Sequence, residues 1–296
     1  MELGFIGLGR MGFHMVERLL KHKMKVVAYN RSPEKVKQIA RKGAVPAYGV
    51  DELIGKLPGK KIVWLMLPAG KATDAMIKKV LPLLSKGDIL VDGANDFYKN
   101  AEKHDKWCKK YGVYFFDCGV SGGVLGLKNG YTIMVGGPKS QFKYVEPFVK
   151  ALSAKGGYGY FGNVGAGHFV KSVHNIVEYV YLQGIAEGVE LLKGFKQPID
   201  IVKATSVWRP ASVVNSWLMD LANVALKRSD FKKIGPEIGS VTIDELRKTK
   251  KAVKGYAPAF DVATKIRRDK SKKFILGKRT IAAIRNEFGG HAVKKK

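Results

Sequence analysis

Residues 2–30, ELGFIGLGRMGFHMVERLLKHKMKVVAYN, decide the fold. Their first residues, LGFI, are apolar and strand-like. GLGRMG, Gly7 to Gly12, then fits G-x-G-x-x-G at the mouth of an amphipathic helical pattern, and KVVAY reads as a second strand. Strand, glycine turn, helix and strand at these distances make a βαβ unit that holds a dinucleotide. Gly7 supplies the tight turn, Gly9 the close backbone approach to a pyrophosphate, and Gly12 the packing of helix on strand. Leu8 and Met11 lie in the same loop, and the helix N-terminus offers amide hydrogens and partial positive charge to the phosphates. Where an NAD site would end its second strand in Asp or Glu, this chain has Asn30, Arg31 and Ser32. A cation and hydrogen-bond donors suit a 2′-phosphate, so the sequence predicts NADP rather than NAD. The same residues start a helix, with Ser32 as cap and Pro33 at its first position.

Outward from this unit, short runs such as KIVWLML and DILVDGA alternate with helical stretches of ten to fifteen residues. That alternation predicts a parallel sheet with helices on both faces, wound right-handedly. After about residue 160 the periodicity is helical. The expected architecture is an α/β Rossmann-type doubly wound domain over 1–163, followed by an all-α domain over 164–296. The boundary falls in YGYFGNVGAGH, where glycines and aromatics break the period.

At 296 residues and 46% hydrophobic content the chain can fill two cores. It has no run of eighteen apolar residues and no signal-peptide pattern, so a soluble, cytoplasmic protein with no membrane contact is expected. Cys108 and Cys118 lack metal-ligand spacing and read as reduced structural thiols, and no metal is expected. Fifty-three basic against 25 acidic residues give +28, which favours anionic partners. Nucleic acid is one, but zinc-finger spacing, ribonucleoprotein aromatics and basic heptads are missing. A small anionic substrate fits equally.

KSVHNIVEYV, residues 171–180, sets Lys171, His174, Asn175 and Glu178 at i, i+3, i+4 and i+7, one stripe of one helix face. The apolar neighbours Phe169, Val170, Val173, Ile176, Val177 and Val180 predict that protein encloses the helix. Lysine and glutamate held there must be paired, hydrated or in use. A lysine near a cationic nicotinamide would have a lowered pKa and could act as general base; the alternative is a solvated surface stripe. DCGVSGG, from Asp117, ends a strand in a Ser121-Gly122-Gly123 turn able to hold a carboxylate. VDGAN brings Asn95 to the same sheet edge. LMLPAG ends a strand at Pro68, setting Leu67, Pro68 and Ala69 beside the expected nicotinamide.

With GLGRMG, NRS, LPAG, DGAN, VSGGVLGLKNGYTIMVGG, GAGHFVKSVHNIVEY and RNEFGGHAV, the chain resembles the shorter form of the 6-phosphogluconate dehydrogenases along nearly its whole length. The segment Gly165 to Tyr179 is the most specific. Related β-hydroxyacid dehydrogenases keep its Lys and Asn without the preceding His or the following Glu-Tyr. The resemblance implies oxidative decarboxylation of 6-phosphogluconate to ribulose 5-phosphate and CO2 with NADP, without a metal. It implies Lys171 as base and later acid, Glu178 as the acid at C1 and Asn175 beside them. Asn95, Ser121, Gly122, Gly123 and His174 would orient the substrate, with Asn95 also near the cofactor. Tyr179 and Arg267, or Arg268 in the neighbouring register, would meet the phosphate. Arg285 and His291 of RNEFGGH would reach into a neighbouring subunit's site, making the protein a homodimer or homotetramer.

Two departures stand out. DGAN replaces the family's Asp-Gly-Gly-Asn, and EIGSVTIDELRKTKK stands where a Gly-Lys-Trp-Thr or Gly-Arg-Trp-Thr loop is usual. A cation from RKTKK is one replacement. The alternatives are a β-hydroxyacid dehydrogenase acting on plain gluconate, which would not need Arg285 and His291, and a non-catalytic nucleotide- or RNA-binding scaffold using the +28 charge.

Overall fold

The computed structural model describes residues 2–239 and 242–295. Eight strands form one sheet: β1 (Glu2–Ile6), β2 (Lys25–Tyr29), β3 (Val45–Ala47), β4 (Ile62–Leu65), β5 (Ile89–Asp92), β6 (Tyr114–Ser121), β7 (Tyr131–Gly136) and β8 (Ser153–Gly162), in the order β3-β2-β1-β4-β5-β6-β7-β8. Neighbours are parallel throughout except β6 with β7. Every residue of IVWL in β4 and ILVD in β5 is buried, as expected of strands covered on both faces. One face packs Leu3, Phe5, Met15, Leu19 and Phe148; the other packs Ile6, Val27, Leu53, Ile77 and Phe115. The order reverses between β1 and β4, which opens a crevice at the carboxyl ends of these strands. The doubly wound expectation holds.

The segment YGYFG, read from sequence as a domain break, is instead the end of β8. Glycines at 156, 157, 159 and 162 hide the alternation, but Tyr158 and Tyr160 share one strand face. Tyr160 donates to the Gly137 carbonyl at 2.7 Å, and Tyr158 to Glu146 at 3.1 Å.

The chain divides into two compact units, Met1–Ser172 and Val173–Lys296, with the division after Ser172. It lies inside the 28-residue helix Ala166–Lys193. The reason is close packing. A Cβ on Gly167 would sit 2.3 Å from the Asp117 carbonyl, and one on Gly119 would sit 2.3 Å from the Lys171 Cβ. The first turns of the helix therefore belong to the sheet unit. The second unit comprises the rest of that helix with Ile201–Val207, Trp217–Lys227, Ile243–Ala252, Pro258–Arg268 and Ile275–Gly289. Asp200 and Ser216 cap two of these helices, accepting from the amides of Lys203 and Met219. Among the described residues its only β pairing is the isolated bridge Ile234 to Lys295. Tyr179, Ile243, Leu246 and Phe260 form a buried cluster in it. No described helix is long and apolar enough to cross a membrane. Both cysteines are buried and unbridged, and burial pushes both thiols up.

Candidate active site

In the glycine loop after β1, Gly7 and Gly12 meet the turn and packing demands that the sequence predicts. Gly7 has φ +109°, and a Cβ there would lie 2.3 Å from the Met66 carbonyl; a Cβ on Gly12 would lie 1.9 Å from the Gly7 carbonyl. Gly9 has open space where its Cβ would be, which suits approach of a diphosphate to the backbone. Gly9 is also the N-cap of the helix Arg10–Lys21 and makes no side-chain cap bond, and a helix N-terminus there favours an anion. Leu8 is buried and Met11 packs on the core. The Leu8 amide donates to the Asn30 side chain at 2.9 Å, so Asn30 holds the loop from the end of β2. Arg31 and Ser32 are exposed there, and the Ser32 hydroxyl donates to Glu34 at 2.9 Å. These residues fit a nicotinamide dinucleotide.

Beyond β4, Leu67 packs on the core while Pro68 and Ala69 are exposed; Thr73 pins the turn by donating to the Pro68 carbonyl at 2.9 Å. Beyond β5, Asn95 is exposed at the same sheet edge. At the end of β6, Gly122 and Gly123 have φ of +120° and +56°, values that glycine adopts without strain. Lys171 is 6% exposed and its stem lies against Gly119, two residues before Ser121. The sheet unit thus gathers the dinucleotide loop, Pro68, Asn95, the Ser121–Gly123 turn and Lys171 at its carboxyl edge.

Asp117, which sequence reading passed over as part of a strand, fixes this arrangement. It is fully buried, and its two oxygens accept from the amides of Gly165 and His168, each at 2.7 Å. A carboxylate at a helix N-terminus is doubly favourable, by charge and by hydrogen bond. An asparagine could accept only one of these bonds and would turn its amide group toward the other donor. Asp117→Asn should cost about 1.5–3 kcal/mol, the usual worth of a hydrogen bond to a charged group, read as a lower urea midpoint at unchanged m-value.

Along the helix Ala166–Lys193 the stripe is graded. Lys171 and Asn175 are buried, His174 and Glu178 are half-buried, and a ring nitrogen of His174 lies 3.1 Å from the Asn175 carboxamide oxygen. The expected enclosure fails on one side: Val173 and Val177 are 42% and 60% exposed. The stripe is set into protein, but among the described residues the neighbouring face of the helix is left exposed at Val173 and Val177.

In the second unit Tyr179 is buried, 3.3 Å from the Thr242 hydroxyl and edge-on to Phe260. The guanidinium of Arg267 stacks 3.6 Å above the Tyr179 ring. Arg267 is 6% exposed, and its three nitrogens have no hydrogen-bond partner among the described residues. Burial pulls its pKa down to about 10, with Tyr179 and Glu178 opposing and Arg285 adding to the shift. Arg268, the other register, pairs with Asp244 at 2.6 Å on the surface. Burial also lowers Arg285, against Tyr179 and Glu178, and its guanidinium donates to the Gly239 carbonyl.

Within its own chain Arg285 feels the charges of Glu178, Tyr179 and Arg267, and the helix that carries it, Ile275–Gly289, packs on Trp217–Lys227. Gly290, at φ +57°, ends the helix in a left-handed turn; the His291 ring packs on Phe288, and its carbonyl accepts from Asn286 at 2.8 Å. In the run RKTKK, Arg247 donates to Thr264 and Lys250 pairs with Asp261. Ser240 and Val241 of the altered loop lie outside the described residues. Thr242 was missed from sequence, although the Gly239-to-Thr242 spacing of the family's loop is kept and signals it.

Comparison with known proteins agrees with this geometry. Residues 2–165 match the NAD binding domain of 6-phosphogluconate dehydrogenase, and residues 167–254 match the 6-phosphogluconate dehydrogenase C-terminal domain. Bacillus subtilis YqeC, named a candidate 6-phosphogluconate dehydrogenase, is 34% identical over 303 residues, with 100% of both chains covered. An NAD(+)-dependent, decarboxylating 6-phosphogluconate dehydrogenase of Haloferax volcanii is 38% identical over 242 residues, covering 81% of this chain and 78% of that one. Among solved structures, Plasmodium falciparum 6-phosphogluconate dehydrogenase, studied with NADP+ and with 6-phosphogluconate, superimposes with a TM-score of 0.81 at 27% identity. It covers 90% of this chain and 61% of the longer one.

Proposed function

The chain belongs to the 6-phosphogluconate dehydrogenase family, and from that premise we propose that it catalyses oxidative decarboxylation of 6-phospho-D-gluconate to D-ribulose 5-phosphate with NADP. The observation that carries this is Lys171, buried against Gly119 beside the Ser121–Gly123 turn, on the helix that presents Asn175 and Glu178 along the same face. Bound nicotinamide supplies the hydride acceptor. Lys171 takes the proton of the C3 hydroxyl as the hydride leaves C3, giving a 3-keto acid. Loss of CO2 leaves electrons at C2 that pass toward the C3 oxygen, where protonated Lys171 returns its proton. Glu178 protonates the former C2, which becomes C1 of the product, while Lys171 takes back the proton of the hydroxyl on the former C3, completing the ketone. Asn95, Ser121, Gly122, Gly123, His174 and Asn175 orient carboxylate and hydroxyls, and Tyr179, Arg267 and Arg285 take the phosphate. We assign the protein to the cytoplasm as a homo-oligomer, the exposed Val173 and Val177 being suited to a second copy.

The assay is formation of reduced cofactor with 6-phosphogluconate or gluconate, each with NADP and with NAD. Turnover with the phosphorylated acid bears the proposal out; turnover with gluconate alone reassigns the substrate. No turnover, together with RNA binding that falls steeply with salt, sinks it in favour of the scaffold.

For the cofactor, the exposed Arg31 guanidinium at the end of β2 favours NADP. Arg31→Ala should weaken NADP by roughly ten- to a hundredfold, the worth of one charge-assisted contact, and leave NAD nearly unchanged. Glu34 favours the second reading, NAD, because its carboxylate already holds the Ser32 hydroxyl. Equal KM effects of Arg31→Ala on the two cofactors would support that reading.

A further inference from the structure

His104 is fully buried, and it faces a carboxylate on each side. Its Nε2 lies 2.6 Å from Asp74 Oδ1, and its Nδ1 lies 3.6 Å from Asp92 Oδ2. Neither that Nδ1 nor that Oδ2 has a hydrogen-bond partner among the described residues. Lys103 closes the row, reaching the two oxygens of Asp74 at 2.8 and 3.0 Å. Two aromatic rings lie beside it, Trp107 at 5.3 Å and Phe115 at 5.9 Å between centroids. Lys78 and Lys103 both lie over the Trp107 ring, at 4.9 and 5.0 Å. Cys108, buried nearby, feels the charge of Asp92.

Counted as ions, Asp92, His104, Asp74 and Lys103 alternate in sign and sum to zero only when the imidazole is protonated. A neutral ring would leave Asp92 as a buried anion facing no cation, an expensive arrangement. Only the imidazolium can donate from both nitrogens. Burial by itself lowers the His104 pKa, but the nearby carboxylate of Asp92 and the hydrogen bond to Asp74 outweigh it and Lys103, and the net shift is upward.

The two carboxylates lead to different loops. Asp92 ends β5, and its other oxygen accepts from the Ala94 amide at 2.9 Å, directly before Asn95. Asp74 lies in the first turn of the helix Lys71–Val80, which opens straight after Pro68, Ala69 and Gly70. The neighbouring Thr73 pins the Pro68 carbonyl.

We propose that His104 is a positioning residue for the nicotinamide end of the cofactor: as an imidazolium it ties the Pro68–Gly70 and Gly93–Asn95 loops together, and its deprotonation loosens both. The inference rests on the dinucleotide reading of the sheet unit. Its sign follows from linkage. A base held at raised pKa contributes its clamp below that value and loses it as pH rises through it, so the effect falls on the alkaline side of the ordinary histidine range.

The test is affinity for NAD and for NADP, by tryptophan fluorescence, from mildly acidic to alkaline pH. NAD carries no 2′-phosphate to titrate and isolates the protein's own group. Affinity of the native chain for both should fall on the order of tenfold, a typical coupling, at the midpoint where labelled His104 titrates by NMR. His104→Gln should bind weakly at every pH, and His104→Arg, permanently charged, should bind without that fall. Asp74→Asn, at a partly exposed position tolerant of change, should move the midpoint to lower pH by removing one anion from the ring. A purely structural His104 would alter the melting temperature and leave these profiles parallel. A native profile that is flat, or one that His104→Gln or Asp74→Asn leaves in place, overturns the inference. A native chain that binds neither nucleotide at any pH overturns the dinucleotide reading itself, and this inference with it.

Discussion

Lys171→Met abolishes measurable turnover of 6-phosphogluconate while the protein still folds and still binds NADP. Positioned proton transfer contributes about 10²–10⁴ to a rate, and stabilisation of a developing oxyanion about 10²–10³ more. Lys171 is assigned both roles, and since effects within one site do not add fully, a loss of at least about 10³ in kcat is expected. Methionine keeps the unbranched stem that lies against Gly119, so packing is not what is lost. Lys171→Arg separates the two roles. It keeps a cation for the oxyanion, but a guanidinium cannot act as a base near neutral pH, so it should bind substrate and fail at oxidation. Single-turnover measurement of cofactor reduction reads this directly. Retention of more than about a tenth of native kcat in either variant would remove Lys171 as the base.

How much of this was legible in sequence depends on whether the signal was local. GLGRMG carries its meaning within six residues, because turn, close approach and helix packing each demand glycine at a fixed place; the turn at Gly7 and the packing at Gly12 are as read. The parallel order of the central strands was likewise written in continuous apolar runs such as IVWL and ILVD. β8 was hidden because its glycines erase the alternation that marks a strand. Asp117 and His104 were missed for a different reason. Each is one polar residue in an ordinary element, and its importance arises from groups at 165 and 168, or at 74 and 92, that only the fold brings near. The enclosure of the long helix was misjudged because valine is equally at home in a core and on a face awaiting a partner.

Arg267→Met raises the KM for 6-phosphogluconate by roughly 30-fold to several thousandfold, and it also makes the free protein more stable. The first effect follows from truncating one partner of a buried charge pair, which costs about 2–5 kcal/mol. The second follows from the unliganded state, where the guanidinium is buried with no acceptor for its nitrogens among the described residues. A base whose pKa is pulled to about 10 disfavours folding while it is charged, below that pH, and ceases to do so between about 10 and its unfolded value. Across neutral pH the penalty is on the order of 3 kcal/mol, and methionine, which fills a similar apolar shape over the Tyr179 ring, avoids it. A phosphate dianion would supply the missing acceptors. The site therefore carries an instability that its substrate relieves, the usual trade between function and stability. The measurement pairs urea midpoints with KM for the phosphorylated and plain acids. Gluconate, with no phosphate, should lose little with Arg267→Met. An equal loss for both acids would make Arg267 a scaffold for Tyr179, and a drop in stability would mean that its charge is already compensated in the free chain.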